Sequence, residues 1–145
     1  DFVRTKMGVT ETIYSQGDGA ELEALKQMTG GALAQVVVDA TGSNKSMANA
    51  MTYCGFTGRL VYVGITQAEV AFPHAPVMHR RELTLLASRN ALPPDFTRII
   101  QLIQDGRIDT RPWITHHAAF GDLIEKFPTV IQPETGVIKA IVDME

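Results

Sequence analysis

Two apolar runs that each end in a glycine dominate the pattern of hydrophobic and polar positions. The first is Val36–Gly42, with the sequence VVVDATG, and the second is Arg59–Gly64, with the sequence RLVYVG. Such β-branched runs are typical of strands buried on both faces, as in a parallel sheet covered by helices. Residues 44–54, between the runs, have helical spacing, and the face predicted to be buried is Met47, Ala50, Met51 and Cys54. The pattern therefore predicts a strand–helix–strand unit.

The rest of the chain continues this alternation of helical and extended segments. Helical patterns cover Phe2–Met7, Glu21–Met28, Pro93–Gly106 with the apolar face Phe96, Ile99, Ile100 and Ile103, and Phe120–Phe127. Extended patterns cover Glu11–Ser15, Leu83–Ala87, Trp113–Thr115 and Val137–Val142. Together these segments predict an α/β fold built on a parallel sheet.

The ends of the two apolar runs are the first candidate site. Ligands of parallel sheets bind at the carboxyl ends of the strands, which is where Gly42 and Gly64 lie. Small residues there let a ligand approach the backbone, and the start of the next helix offers unpaired N–H groups. An ordinary turn in which Ser43 or Asn44 caps the helix is the alternative interpretation.

Composition and charge exclude several classes of function. The chain has 145 residues, 45% of them hydrophobic, which is enough for one ordinary domain with a core. A net charge of −3 argues against a nucleic-acid partner. No apolar run approaches the roughly 20 residues of a membrane span, and no secretory leader pattern is expected. The single cysteine, Cys54, fits a reducing, cytoplasmic compartment.

No metal or nucleophile motif stands out. The four histidines lack the spacing of zinc ligands, and Cys54 lies on the predicted apolar face of a helix. Lys139 lies inside the apolar strand pattern Val137–Val142, where it either faces water on an edge strand or holds an anion. The sequence therefore predicts no metal ligand and no catalytic residue in this chain.

Taken together, these segments resemble the C-terminal part of the zinc-type medium-chain alcohol and polyol dehydrogenases, especially the sorbitol- and galactonate-type enzymes. The matching pieces are Val36–Gly42, Gly58–Gly64, Arg81–Asn90, Gly106–Asp109 leading into Ile114–His116, and Gly136–Lys139. The resemblance implies a partial Rossmann-type parallel sheet, strands four to six of the doubly wound order, with flanking helices. It implies a cofactor domain over residues 1–106 and, over residues 107–145, a C-terminal segment that returns to the catalytic domain.

The resemblance also implies a set of cofactor-binding residues for NAD or NADP. Ala40, Thr41 and Gly42 would lie beside the nicotinamide ribose. Backbone groups after the next two strands would hold the carboxamide; they belong to Val63, Gly64, Ile65, Ser88, Arg89 and Asn90. Lys139 would reach the pyrophosphate. The zinc of the family would be bound by the parent protein and by none of these residues.

The function that follows is the distal part of the NAD(P)-binding domain of a zinc-dependent alcohol, polyol or sugar-acid dehydrogenase, inactive as an isolated piece. Its partners would be the cofactor, a small alcohol or sugar acid, and a second copy paired through Leu83–Ser88, with no nucleic acid and no membrane. Two alternatives stay open, a non-catalytic dimerisation module and a part of a zinc-free quinone-type reductase.

Overall fold

The computed structural model describes residues 2–144, which form two compact units. One unit is residues 11–90, and the other combines residues 2–10 with 91–144. The first unit contains α2 (Ala20–Met28), β1 (Ala34–Asp39), α3 (Asn44–Ala50), β2 (Cys54–Tyr62) and β3 (Thr84–Ala87). The second contains α1 (Phe2–Met7), α4 (Pro93–Gln104), β4 (Ile114–Ala119), α5 (Leu123–Val130) and β5 (Lys139–Asp143).

A three-stranded parallel sheet organises residues 11–90. Its order is β1-β2-β3, and Leu60 pairs with Val37 on one side and Leu85 on the other. This is the predicted order of the three apolar runs, and the predicted α/β fold class is confirmed. The prediction that these strands are buried on both faces is wrong for β1, because its Val36 and Val38 side chains are exposed and no helix covers them within residues 2–144. Each strand ends at the same edge of the sheet, so the loops that follow β1, β2 and β3 begin side by side.

The core of this unit lies between the sheet and α3. Met51, Cys54 and Leu60 are fully buried, and Ala50 and Leu83 complete the cluster. All four residues of the face predicted to be buried, Met47, Ala50, Met51 and Cys54, are buried.

The end of the helix between β1 and β2 differs from the prediction. The α-helix ends at Ala50, a 3₁₀ turn follows, and Cys54 already opens β2. Gly55 explains the early start, because a Cβ there would lie 2.3 Å from the carbonyl oxygen of Ala32. Only glycine lets the chain enter the sheet so close to the residues that precede β1.

Three predicted strands differ from the structure. The strand predicted over Trp113–Thr115 begins at Ile114 and extends to Ala119, because Trp113 belongs to a 3₁₀ turn. Residues 11–15 form no strand, because they join no ladder with the strands of residues 2–144 and a strand exists only through such pairing. The last strand begins at Lys139 rather than Val137, and it pairs in parallel with β4.

The second unit has little buried apolar surface. Within it Ala118 is buried, whereas no residue of α4 is. The helix α4 begins as predicted at Pro93, and the Asp95 carboxylate accepts the Leu92 N–H at 2.8 Å. No helix within residues 2–144 is long and apolar enough to span a membrane. The domain boundary predicted near Gly106 concerns a cofactor domain and its return segment, and it stays a prediction.

Candidate functional site

The loops after β1 and β2 lie in direct contact. A Cβ at Gly64 would lie 2.5 Å from the backbone nitrogen of Gly42, and a Cβ at Gly42 would lie 3.0 Å from the carbonyl oxygen of Ile65. Gly42 also has a φ of +65°, which β-carbon-bearing residues rarely adopt. Six of the predicted site residues therefore come together here, namely Ala40, Thr41, Gly42, Val63, Gly64 and Ile65.

Asp39, the last residue of β1, ties these loops to each other. Its carbonyl oxygen accepts the N–H groups of Val63 and Gly64 at 2.8 and 2.9 Å. Its carboxylate accepts the N–H and Oγ–H of Thr41 at 3.0 and 2.8 Å and the Oγ–H of Ser46 at 2.6 Å. Asp39 is only 4% exposed. Burial alone raises the pKa of Asp39, but the hydrogen bonds from Ser46 and Thr41 outweigh it and lower that pKa.

The turn into α3 has the geometry of an ordinary helix cap. The Ser43 side chain accepts the Ser46 N–H at 3.4 Å, and the Thr41 Oγ accepts the Ser43 N–H at 3.1 Å. The capping interpretation is therefore correct for Ser43. It is compatible with a ligand on the loop, since Ala40 and Thr41 are both exposed.

The loop after β3 continues the same edge of the sheet. Ser88 donates its N–H to the carbonyl of Tyr62 at 2.9 Å, so its backbone lies beside the end of β2. Arg89 and Asn90 follow as exposed residues, and Asn90 has a φ of +53°, which asparagine tolerates better than most residues. The structure thus places the third predicted loop next to the second.

Lys139 lies in the other unit. It is exposed, opens β5, and its carbonyl accepts the Thr115 Oγ–H at 3.4 Å. The structure does not bring it into one unit with the three loops, and its predicted contact with a pyrophosphate stays a prediction.

A nicotinamide-type ligand and a zinc ion fit the described residues very differently. The missing side chains at Gly42 and Gly64 let the two loops touch each other, and a flat ligand would meet the exposed residues Ala40 and Thr41 beside that contact. In contrast, no group of three histidine, cysteine, aspartate or glutamate residues within residues 2–144 could hold a metal. His117 faces Asp143 at 3.2 Å, and burial raises the pKa of the Cys54 thiol. These residues do not form a zinc site.

A second polar cluster, beside α2, was not found from the sequence. Glu21 is buried, and its Oε1 accepts the Tyr53 O–H at 3.1 Å. Burial raises the pKa of Tyr53, and the hydrogen bond to the Glu21 carboxylate and its charge raise it further, to about 12. The pattern of α2 gave no sign of this, because its apolar positions pointed to Leu22, Leu25 and Met28 as the buried face. Asp39 was also missed as a site residue, although an acidic residue closing a β-branched run could have marked it.

Comparisons with known proteins agree with this fold. A family described as Zinc-binding dehydrogenase matches residues 2–105. L-galactonate-5-dehydrogenase from Escherichia coli K12 is 34% identical over 118 residues, which are 81% of this chain and 34% of that protein. The chain thus spans about a third of the length of this curated relative.

Solved structures show the same fold at lower identity. A 2R,3R-butanediol dehydrogenase from Bacillus subtilis has a TM-score of 0.72 and 20% identity, covering 86% of this chain and 35% of that one. An alcohol dehydrogenase from E. coli CFT073, solved with NADH, has a TM-score of 0.74 and 18% identity, covering 85% and 36%. The predicted family is confirmed: the chain belongs to the zinc-binding dehydrogenases.

Proposed function

We propose that the chain is the distal part of the NAD(P)-binding domain of a polyol or sugar-acid dehydrogenase. The observation that carries this proposal is the contact between Gly42 and Gly64, which joins two bare backbone loops at the carboxyl edge of a parallel sheet. The relative named L-galactonate-5-dehydrogenase supports the substrate class.

The proposed roles divide the nicotinamide end of the cofactor among three loops. Residues 40–42 lie beside the ribose, while residues 63–65 and 88–90 offer backbone groups to the carboxamide. Lys139 neutralises part of the pyrophosphate charge. When bound, the nicotinamide supplies the hydride chemistry, and this chain binds and orients it.

The catalytic groups belong to the parent protein. Family members of this type use zinc to polarise the oxygen of the alcohol or carbonyl, and residues 2–144 hold no metal site. We therefore expect the isolated chain to be inactive and to bind nicotinamide cofactors weakly. A cytoplasmic location is part of the same proposal, supported by a single cysteine that is buried.

A segment exchange tests the cofactor role. The E. coli L-galactonate dehydrogenase would carry this chain in place of its matching segment, and oxidation of L-galactonate would be measured with NAD and with NADP. We expect the chimera to fold and to oxidise L-galactonate. Its Gly64→Ala variant should lose activity, because the added Cβ collides with the backbone nitrogen of Gly42. Gly121→Ala is the control, because a Cβ there meets nothing within 4 Å. A folded chimera that binds neither cofactor contradicts the proposal.

Measurements on the natural protein distinguish a zinc-dependent dehydrogenase from a zinc-free quinone-type reductase. Its intact mass and zinc content would be measured after isolation from its source. We expect a substantially longer polypeptide that contains zinc. A zinc-free protein that reduces quinones with NADPH would favour the quinone-type reductase instead.

Self-association through β3 is the second candidate function. The Ser88 N–H points to β2, so Thr84 and Leu86 also direct their backbone groups to β2. Leu85 and Ala87 therefore present theirs at the outer edge, where no strand of residues 2–144 pairs with β3. A symmetric antiparallel pairing with a second copy would satisfy both edges.

Substitution at Ala87 tests this pairing with little loss of packing. Ala87→Pro removes an outward N–H, whereas Ala87→Val keeps it. Sedimentation should show a dimer for the unmodified chain and for Ala87→Val, and a monomer for Ala87→Pro. An unmodified chain that stays monomeric at high concentration would rule out the dimer.

A further inference from the structure

Asp39 forms hydrogen bonds to three separate segments of the chain. Its carbonyl binds the loop at Val63 and Gly64, one carboxylate oxygen binds Thr41, and the other binds Ser46 in α3. These are the two loops that meet at Gly42 and Gly64, together with the helix that follows the first. A sheet needs none of the carboxylate bonds, since the β1–β2 ladder runs through backbone groups.

The donors around the carboxylate are all uncharged. Thr41 and Ser46 supply the three hydrogen bonds, and no ion pair reaches Asp39 among residues 2–144. The titratable group that faces it is Tyr62, its register partner on β2, whose O–H donates to the Met47 carbonyl at 2.6 Å. An ionised carboxylate is an acceptor at both oxygens, so each of these three donors finds an acceptor on Asp39.

We propose that Asp39 is a positioning residue for the nicotinamide end of the cofactor. Its carboxylate fixes Thr41 and α3 while its carbonyl fixes Gly64, so the ribose loop and the carboxamide loop keep one spacing. The inference rests on the proposed cofactor role of these loops, and it assigns to Asp39 no contact with the cofactor itself.

Substitution of Asp39 by asparagine tests the role of the carboxylate. Asp39→Asn keeps the size of the side chain and one accepting oxygen, but the amide nitrogen that it introduces cannot accept the Ser46 Oγ–H. Thr41→Val removes the hydroxyl that donates to the other carboxylate oxygen of Asp39, and Thr41→Ser restores a hydroxyl. Leu83→Ala is the matched control, because it removes a buried side chain of the core cluster and no bond to Asp39.

The test uses the ¹⁵N-labelled 145-residue chain at a temperature where every variant stays folded. Amide shifts and amide exchange would be followed at Thr41 and Gly64, and NADH would be titrated into the millimolar range. We expect Asp39→Asn and Thr41→Val to speed exchange at both amides and to weaken NADH binding about tenfold. Thr41→Ser should restore binding, and Leu83→Ala should change neither readout despite its lower stability.

Two results would overturn the inference. One is an Asp39→Asn chain that binds NADH as tightly as Leu83→Ala does. The other is unchanged exchange at Thr41 and Gly64 in Asp39→Asn. If the unmodified chain shows no NADH-induced shift, the cofactor role fails on this chain. The exchange at Thr41 and Gly64 then decides by itself whether Asp39 positions the loops.

Discussion

Residues 11–90 and the unit formed by residues 2–10 and 91–144 use similar apolar patterns with opposite results. In the first unit α3 and β2 bury Met51, Cys54 and Leu60 completely. In the second, α4 has a clear apolar face, yet Phe96 is 62% exposed and Ile100 54% exposed. The same kind of periodicity thus ends in a core in one region and at the surface in the other.

The difference shows what an amphipathic pattern requires in order to stabilise a fold. Burial of apolar area is favourable only when another element covers it, and each such residue contributes about 1.5–3 kcal/mol once buried. In residues 11–90 the sheet and α3 cover each other. On α4 no residue is buried, so its apolar face contributes little to stability in this chain.

The largest expected effect is in the core of residues 11–90. Leu60→Ala should lower the free energy of unfolding by about 2–5 kcal/mol, because it empties a fully buried position in the central strand. Urea denaturation measures this loss. A loss below about 1 kcal/mol would mean that this core does not stabilise the chain.

The contact between the two loops should show the next largest effect. Gly64→Ala places a Cβ 2.5 Å from the Gly42 nitrogen, and backbone must move, at a cost of about 1–3 kcal/mol. Gly121→Ala, with open space around it, is the control for a glycine substitution in the other unit. Equal stability of Gly64→Ala and the unmodified chain would show that the loops do not touch in solution.

Two aspartates with lowered pKa values, one in each unit, should respond differently to salt. Hydrogen bonding to Arg111 lowers the pKa of Asp109 to about 2, and both side chains are exposed. Asp39 is buried and held by uncharged donors. NMR titration in about 1 M NaCl should raise the pKa of Asp109 and leave that of Asp39 in place, since salt screens exposed charge pairs most.

The sign of the pH dependence follows from the lowered pKa of Asp39. Its contribution to stability is complete above the unfolded-state pKa of about 3.9 and is lost as the pH falls through the lower folded-state pKa. The stability difference between the unmodified chain and Asp39→Asn should therefore shrink below about pH 4. A constant difference down to the acid transition would contradict the assignment of the ionised form.

The smallest effect is expected at the surface of the second unit. Ile124, on α5, is 93% exposed, so Ile124→Ser should change the free energy of unfolding by less than about 0.5 kcal/mol. Urea denaturation again provides the measurement. A loss comparable to that of Leu60→Ala would show that something in solution covers this helix.

Much of the fold and part of the site could be predicted from the sequence. The β-branched runs were sufficient to predict the three central strands. The burial expected on both faces was wrong, because Val36 and Val38 of β1 are 56% and 59% exposed. The glycines at positions 42 and 64 marked the loops, but the structure gives a different reason for them, because each leaves room for the backbone of the other loop. The strand predicted over residues 11–15 was wrong, because pairing depends on a neighbour and not on the residues themselves.

The sequence by itself determined the apolar runs and, through the series of motifs that they form, the family, since these depend on local pattern and spacing. The order of the strands was expected from the family resemblance, and the structure confirmed it. Only the tertiary structure decided which groups meet across the sheet. It placed the Asp39 carboxylate on Thr41 and Ser46, Glu21 on Tyr53, and β5 beside β4. These contacts join residues from different elements, and their geometry follows from how the elements pack rather than from any one segment.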